Sequence, residues 1–336
     1  MFASRTLAAT PVNPIGLGCM NLSHAYGTPP STQDAQTLLF KALDLGYNHL
    51  DTATLYGFGN NETLLGNTLK GQRQQFFLAS KCGMGGVNGK RVIDGHPKTL
   101  RRQIDESLKR LQTDVIDLYY LHRYDKNIPI AESVGEMGRM VEAGKVRHLG
   151  LSEVSAATLK LAHAEHPIAA VQNEYSLWTR NPELGTIAAC KDIGATLVAF
   201  SPVARGFLGN VLHDTTTLPE KDIRLGMPRF QGAHFQHNLT LLNAFAALAK
   251  QAGCTPAQLA LYWVLAQADH IVAVPGTTSL QHLADNIATP SLNIATPSLN
   301  IATDILAQAS DLINQHTVSG PRYPAATQLE IDTEEF

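Results

Sequence analysis

Four side chains in the first 122 residues are of the types needed to move a proton onto an oxygen. Asp51 closes a short apolar run, 47–50, and Tyr56 follows in a turn that continues into Gly57. Lys81 closes the run 76–80, and His122 closes the run 115–121. A free tyrosine, with a pKa of about 10, is a poor acid at neutral pH. A lysine ammonium beside it favours the phenolate and lowers that pKa. The lysine must stay charged in a partly buried place, which a carboxylate partner allows. The expected relay is Asp51 holding Lys81, Lys81 tuning Tyr56, and Tyr56 donating to an oxyanion that forms from a carbonyl, with His122 orienting that oxygen. None of the four supplies a hydride, so a cofactor must. Taken singly, each has an ordinary role: a capping Asp, a solvated Lys, a packed Tyr or His. The expectation rests on their joint placement.

That placement depends on the elements. Apolar runs at 15–19, 47–50, 76–80, 115–121, 146–151, 168–172, 195–200 and 271–274 read as eight strands. They are continuous rather than alternating, as in parallel strands buried on both faces. Helical stretches follow at 32–45, capped by Ser31 and stopped by Gly46, and at 61–70, 97–111, 129–143, 155–163, 182–192, 239–251, 256–267 and 280–287. The pattern predicts an α/β fold, a closed (β/α)8 TIM barrel over residues 1–336, with chemistry at the C-terminal ends of its strands. The ends of strands two, three and four are neighbours there, so the four side chains converge on one side of the mouth. An open doubly wound sheet fits less well, because Gly16-Leu17-Gly18 has no third glycine in register and no helix start behind it.

A small hairpin is expected at 2–12, a glycine-rich loop at 83–95 and a long loop at 201–236 on the mouth of the barrel. The heptad Asn-Ile-Ala-Thr-Pro-Ser-Leu stands at 286–292 and again at 293–299. Two copies are too few and too short for a solenoid, and Pro290 and Pro297 interrupt helix. Residues 286–303 are read as an inserted exposed loop, ahead of a terminal helix and tail over 304–336.

Composition narrows the function classes. A net charge of −3 argues against a nucleic-acid or anionic-membrane footprint, which needs a clustered positive field. Cys19, Cys82, Cys190 and Cys254 lack C-x-x-C spacing and read as reduced thiols, with no disulfide frame or metal site. The first 14 residues lack a basic-then-apolar signal, and no apolar run approaches the roughly 20 residues of a membrane span. A cytoplasmic protein is expected. The sequence leaves its oligomeric state open.

The chain resembles the aldo-keto reductases over nearly its whole length apart from the heptad insertion. The resemblance is carried by Gly46-Tyr-Asn-His-Leu-Asp-Thr-Ala-Thr-Leu-Tyr-Gly57, Leu78-Ala-Ser-Lys-Cys-Gly83, Asp117-Leu-Tyr-Tyr-Leu-His122 and Val146-Arg-His-Leu-Gly-Leu-Ser152. It continues through Val171-Gln-Asn-Glu-Tyr-Ser176, Ala199-Phe-Ser-Pro202, Arg205-Gly-Phe-Leu208 and Val274-Pro-Gly-Thr-Thr278. The tail, with Arg322-Tyr-Pro324 and 330–336, is similar to the long-tailed bacterial and plant branch. The resemblance implies NADPH, with NADH possible, lying extended across the barrel mouth. It implies Asp51, Tyr56, Lys81 and His122 as the catalytic set. It implies Ser152 and Gln172 on the nicotinamide carboxamide, with Met20 nearby and Phe200 stacked on the ring. Ser201, Pro202, Gly206 and Leu208 match the pyrophosphate loop, and the loop at 201–236 becomes a strap over the cofactor. Pro275, Gly276, Thr277, Ser279, His282 and Asn286 match the adenosine end.

Two positions depart from the family. Glu153 replaces a common Asn, a variant expected to change little. Ser279 and His282 stand where NADPH-selective members carry Lys and Arg, so discrimination against NADH is expected to be shallow. The expected substrate is a small-molecule aldehyde or ketone, met by Met20, Tyr26, Arg123, Tyr124 and Trp178. Two other readings compete: a Schiff-base aldolase using Lys81, and a non-catalytic nucleotide-sensing subunit like the reductase-like β subunits of potassium channels.

Overall fold

The chain opens with a hairpin of β1 (Arg5–Leu7) and β2 (Thr10–Val12). Ala8 and Ala9 turn it at positive φ, 48° and 61°, matching the twist of paired strands. The structure, a computed structural model, describes residue 2 and residues 4–292 and 301–336. Leu7 and Val12 pack with Phe77, Ala79, Leu118, Val198 and Val272 and seal one end of the barrel.

The barrel staves are β3 (Leu17–Gly18), β4 (His49–Asp51) and β5 (Phe77–Cys82). After a second hairpin, β6 (Met84–Val87) and β7 (Lys90–Ile93), come β8 (Ile116–Leu121), β9 (Val146–Ser152), β10 (Ile168–Glu174), β11 (Thr196–Phe200) and β12 (Ile271–Val274). The eight staves pair in parallel from β3 to β12 in chain order, with the β6–β7 hairpin outside the series. Closure comes from Ile15, which bridges in parallel to Ala273, and from Gly18 N–H donating to Pro275 O at 3.1 Å. The (β/α)8 barrel is therefore the observed fold.

Around it lie α1 (Thr32–Asp44), α2 (Asn60–Thr68), α3 (Pro97–Leu111), α4 (Ile130–Glu142), α5 (Ala156–Glu165), α6 (Thr186–Asp192), α7 (Gly232–Gln251), α8 (Pro256–Ala266), α9 (Leu280–Ala288), α10 (Ile301–Leu312) and α11 (Ala325–Gln328). Helices such as α1, α3, α4 and α8 turn apolar side chains to the core. On α3 these are Leu100, Ile104 and Leu111, and burying each such side chain is worth about 1.5–3 kcal/mol. No described helix is long and apolar enough to cross a membrane.

Four expectations need correction. Residues 83–95 are not a loop: Asn88 and Gly89, at φ 51° and 73°, turn the β6–β7 hairpin. The helix expected at 182–192 is broken at Gly185 into a 3-10 turn, Asn181–Leu184, and α6. The loop after β11 ends early, because α7 starts at Gly232. The polar first turns of α7 are held by buried Asn238, which donates to Arg229 O and Ser319 O. The first heptad copy is packed rather than exposed. It finishes α9 and makes a 3-10 turn, with Thr289 and Pro290 buried and Pro290 O accepting from Phe2 N at 2.8 Å. The second copy, 293–299, lies outside the described residues.

Candidate active site

Parallel strands end together on one face, so the ends of β4, β5 and β8 bring Asp51, Lys81 and His122 into one cluster. Tyr56 arrives on the β4–α2 loop, which left-handed Gly57, Phe58 and Gly59 fold back over the strand ends. Asn61 fixes that loop. Its Nδ2 donates to Cys19 O at 2.8 Å and Ser23 Oγ at 2.7 Å, and its Oδ1 accepts from Thr52 Oγ1 at 2.6 Å.

Lys81, fully buried, donates to three oxygens: Asp51 Oδ1, Thr52 O at 2.9 Å and Tyr56 Oη at 3.0 Å. The other Asp51 oxygen accepts from Gln172 Nε2 at 2.7 Å. The Tyr56 and His122 rings meet edge to face, 5.8 Å apart. Because the Tyr56 oxygen accepts from Lys81, its own hydrogen is free to point into the cavity.

Electrostatics correct one expectation. Burial pushes the Tyr56 phenol above its ordinary value; Lys81 pulls it down, but not far enough. Tyr56 is thus a fully protonated acid, not a pre-acidified one. Burial alone would lower the Lys81 ammonium, yet Asp51 and Tyr56 hold it above its usual range. His122 lies well below the usual imidazole value, through burial first and then the positive field of Arg123 and Lys81. It is a neutral ring, and its Nδ1 has no protein partner among the described residues.

A cavity of about 1070 Å³ runs from this cluster across the mouth. Met20, Ser152, Gln172, Phe200, Ser201, Pro202, Gly206, Pro275, Gly276, Thr277, His282 and Asn286 line it, as do Tyr26 and Arg123. Leu208 does not: its side chain is in the core. Ser279 is taken up as the N-cap of α9, accepting from His282 N at 3.3 Å. Tyr124 is off the cavity wall, and Trp178 is buried against Phe207 with ring centres 4.4 Å apart. Gln172, expected on the carboxamide, lines the cavity and also donates through Nε2 to Asp51.

Sequence reasoning missed the tail. Arg322 donates to Glu153 Oε2 at 2.7 Å and Glu174 Oε2 at 2.9 Å; Arg205 reaches the same Glu174 oxygen at 2.7 Å and Tyr323 Oη at 2.7 Å. Glu153, read as a variant of little effect, also ties the tail to the ends of β9 and β10 through Arg322. Arg205 and Arg322 stood in motifs carrying the family resemblance, but their convergence on Glu174 was not legible there.

The fit to a dinucleotide can be judged from the backbone. Ser201, Ala204, Arg205 and Gly206 all have positive φ, 49°, 48°, 58° and 87°, and Ser201, Arg205 and Gly206 line the cavity. Such turns gather successive N–H groups into an anion-binding concavity. With Phe200 at one end and Thr277 and Asn286 at the other, the residues suit an extended nucleotide with two phosphates.

An eight-stranded barrel with a Tyr–Lys–Asp–His cluster at the strand ends defines a class of carbonyl oxidoreductases. The Aldo/keto reductase family model matches residues 14–306, and the chain belongs to that family. It is 41% identical over 278 residues to probable aldo-keto reductase 1 of Glycine max, covering 82% of this chain and 80% of the relative. It is 40% identical over 291 residues to the Schizosaccharomyces pombe aldo-keto reductase yakc, whose name specifies NADP(+), covering 84% and 85%. The solved glycerol dehydrogenase AKR11B4 from Gluconobacter oxydans superposes with a TM-score of 0.80 at 27% identity, over 96% of this chain and 98% of that one.

Proposed function

We propose that this protein reduces aldehydes, and some ketones, to alcohols with NADPH, NADH being the weaker alternative. The observation that carries the reading is Lys81 Nζ donating to Tyr56 Oη at 3.0 Å while Asp51 neutralises it. A reduced nicotinamide held there would supply the hydride for the carbonyl carbon. Ser152 and Gln172 would hold its carboxamide, Phe200 its ring, and the turn from Ser201 to Gly206 its phosphates. Tyr56 gives its proton to the carbonyl oxygen, and Lys81 stabilises the phenolate left behind. Neutral His122 hydrogen-bonds the same oxygen and sets its orientation. The relative named for NADP(+) supports the cofactor.

Lys81 speaks against the aldolase reading: all three of its ammonium hydrogens have acceptors, and its pKa is raised, so it is a poor amine nucleophile. The test is a panel of aldehydes followed by NADPH absorbance with wild type and Tyr56→Phe. The variant is expected to bind NADPH but lose turnover by about 10²–10⁴-fold. Unchanged rates would remove Tyr56 from the acid role.

A further inference from the structure

Arg123 follows His122 directly and lines the cavity beside it. Its Nη1 donates to His122 O at 2.7 Å and reaches Ser152 Oγ at 3.4 Å. These two bonds hold the guanidinium on the cavity wall that Tyr56 and His122 also line. Its remaining N–H groups meet no protein acceptor among the described residues. Nor does any described carboxylate pair with it, although Arg205, Arg224 and Arg91 on the same cavity each have one.

The carboxylates that line the cavity are committed or stand elsewhere. Asp51 is held by Lys81 and Gln172, and Asp222 by Arg224. Glu220 lies on the loop after β11, and Asp285 lies on α9. A half-buried guanidinium with free donors and no counter-ion has an unmet demand for a planar anion, which it binds through two parallel N–H bonds.

We propose that Arg123 selects carbonyl substrates that carry a carboxylate, the anion docking on its free N–H edge while the carbonyl oxygen lies between Tyr56 and His122. This deepens the reductase reading and rests on it. The reaction stays balanced: a hydride from the nicotinamide goes to the carbonyl carbon and the Tyr56 proton to its oxygen, giving a hydroxy acid, and the carboxylate is unchanged. Arg123 is a specificity residue here, since it touches substrate away from the reacting atoms.

The test uses 4-carboxybenzaldehyde and its methyl ester, which differ in charge but not in the aldehyde, with the full chain and NADPH. Wild type is expected to favour the acid at least tenfold in kcat/KM, mainly through KM, with the preference shrinking as salt rises. Arg123→Met is expected to bring the acid-to-ester ratio near one, and Arg123→Lys to restore part of it. An acid-to-ester ratio near one in wild type, with brisk turnover of both, would overturn the inference and leave the reductase reading standing. A ratio unmoved by Arg123→Met would do the same. Turnover of neither aldehyde would overturn the reductase reading, and this inference with it.

Discussion

Tyr56 is the proton donor of the proposed reaction, and its environment makes a pH prediction with a definite sign. Burial raises its pKa, so the proton is present throughout the neutral range. Aldehyde reduction is expected to stay level from about pH 7 to 9 and to fall only as pH rises past the ordinary tyrosine value of about 10. A steep loss between pH 7 and 8 in kcat would contradict this. His122 is neutral well below its ordinary value, so no inflection is expected near pH 6.5.

At the scale of elements, the β4–α2 loop and the tail do the positioning. Asn61→Ala would leave Cys19 O and the Ser23 and Thr52 hydroxyls without their partner, costing about 3 kcal/mol of stability. It should also lower kcat more than cofactor affinity, because the loop carrying Tyr56 slackens. A thermal melt with steady-state kinetics checks both.

The tail is stapled by charge. Burial alone would raise the Glu174 carboxyl, but Arg205 and Arg322 hold it down to about 2. Its folded value lies below the unfolded one, so the stabilisation is present above the ordinary Glu range and is lost as pH falls towards 2. Arg322→Met strips one partner from Glu153 and Glu174 together, and breaking such buried pairs costs about 3–5 kcal/mol. The variant's acid unfolding should shift to higher pH. If its acid profile matched wild type, the tail network would not be holding the molecule together.

For the whole molecule, cofactor choice is the open balance between the two ends of the cavity. Positive side chains on the wall away from the tetrad, Arg205, Lys221 and Arg224, come from the loop after β11, whereas α9 offers only His282. Arg205 and Arg224 are already paired with Glu174 and Asp222, so a 2′-phosphate would meet no unpaired cation on α9. NADPH is expected to be preferred over NADH by less than about a thousandfold in kcat/KM, some 4 kcal/mol. Paired kinetics with the two cofactors decide it, and a larger ratio would mean that the phosphate finds a stronger partner.

The sequence by itself determined the barrel and the identity of its central cluster. Continuous apolar runs of strand length, each followed by a helical stretch, have few ways to bury both faces, and a parallel barrel fixes which residues stand at neighbouring strand ends. Asp51, Lys81 and His122 needed only that periodicity. The Asn88-Gly89 turn was also there to be read, since that pair is a strong hairpin signal. Only the tertiary structure decided that burial outweighs Lys81 at Tyr56, that Gln172 reaches Asp51, and that Ser279 accepts from His282 N as the cap of α9. It alone joined Glu153 to Arg322, 169 residues apart in the chain. Local pattern records which faces seek burial, whereas pKa and ion pairing depend on what lies within a few ångströms, and distant segments supply that only once the chain has closed.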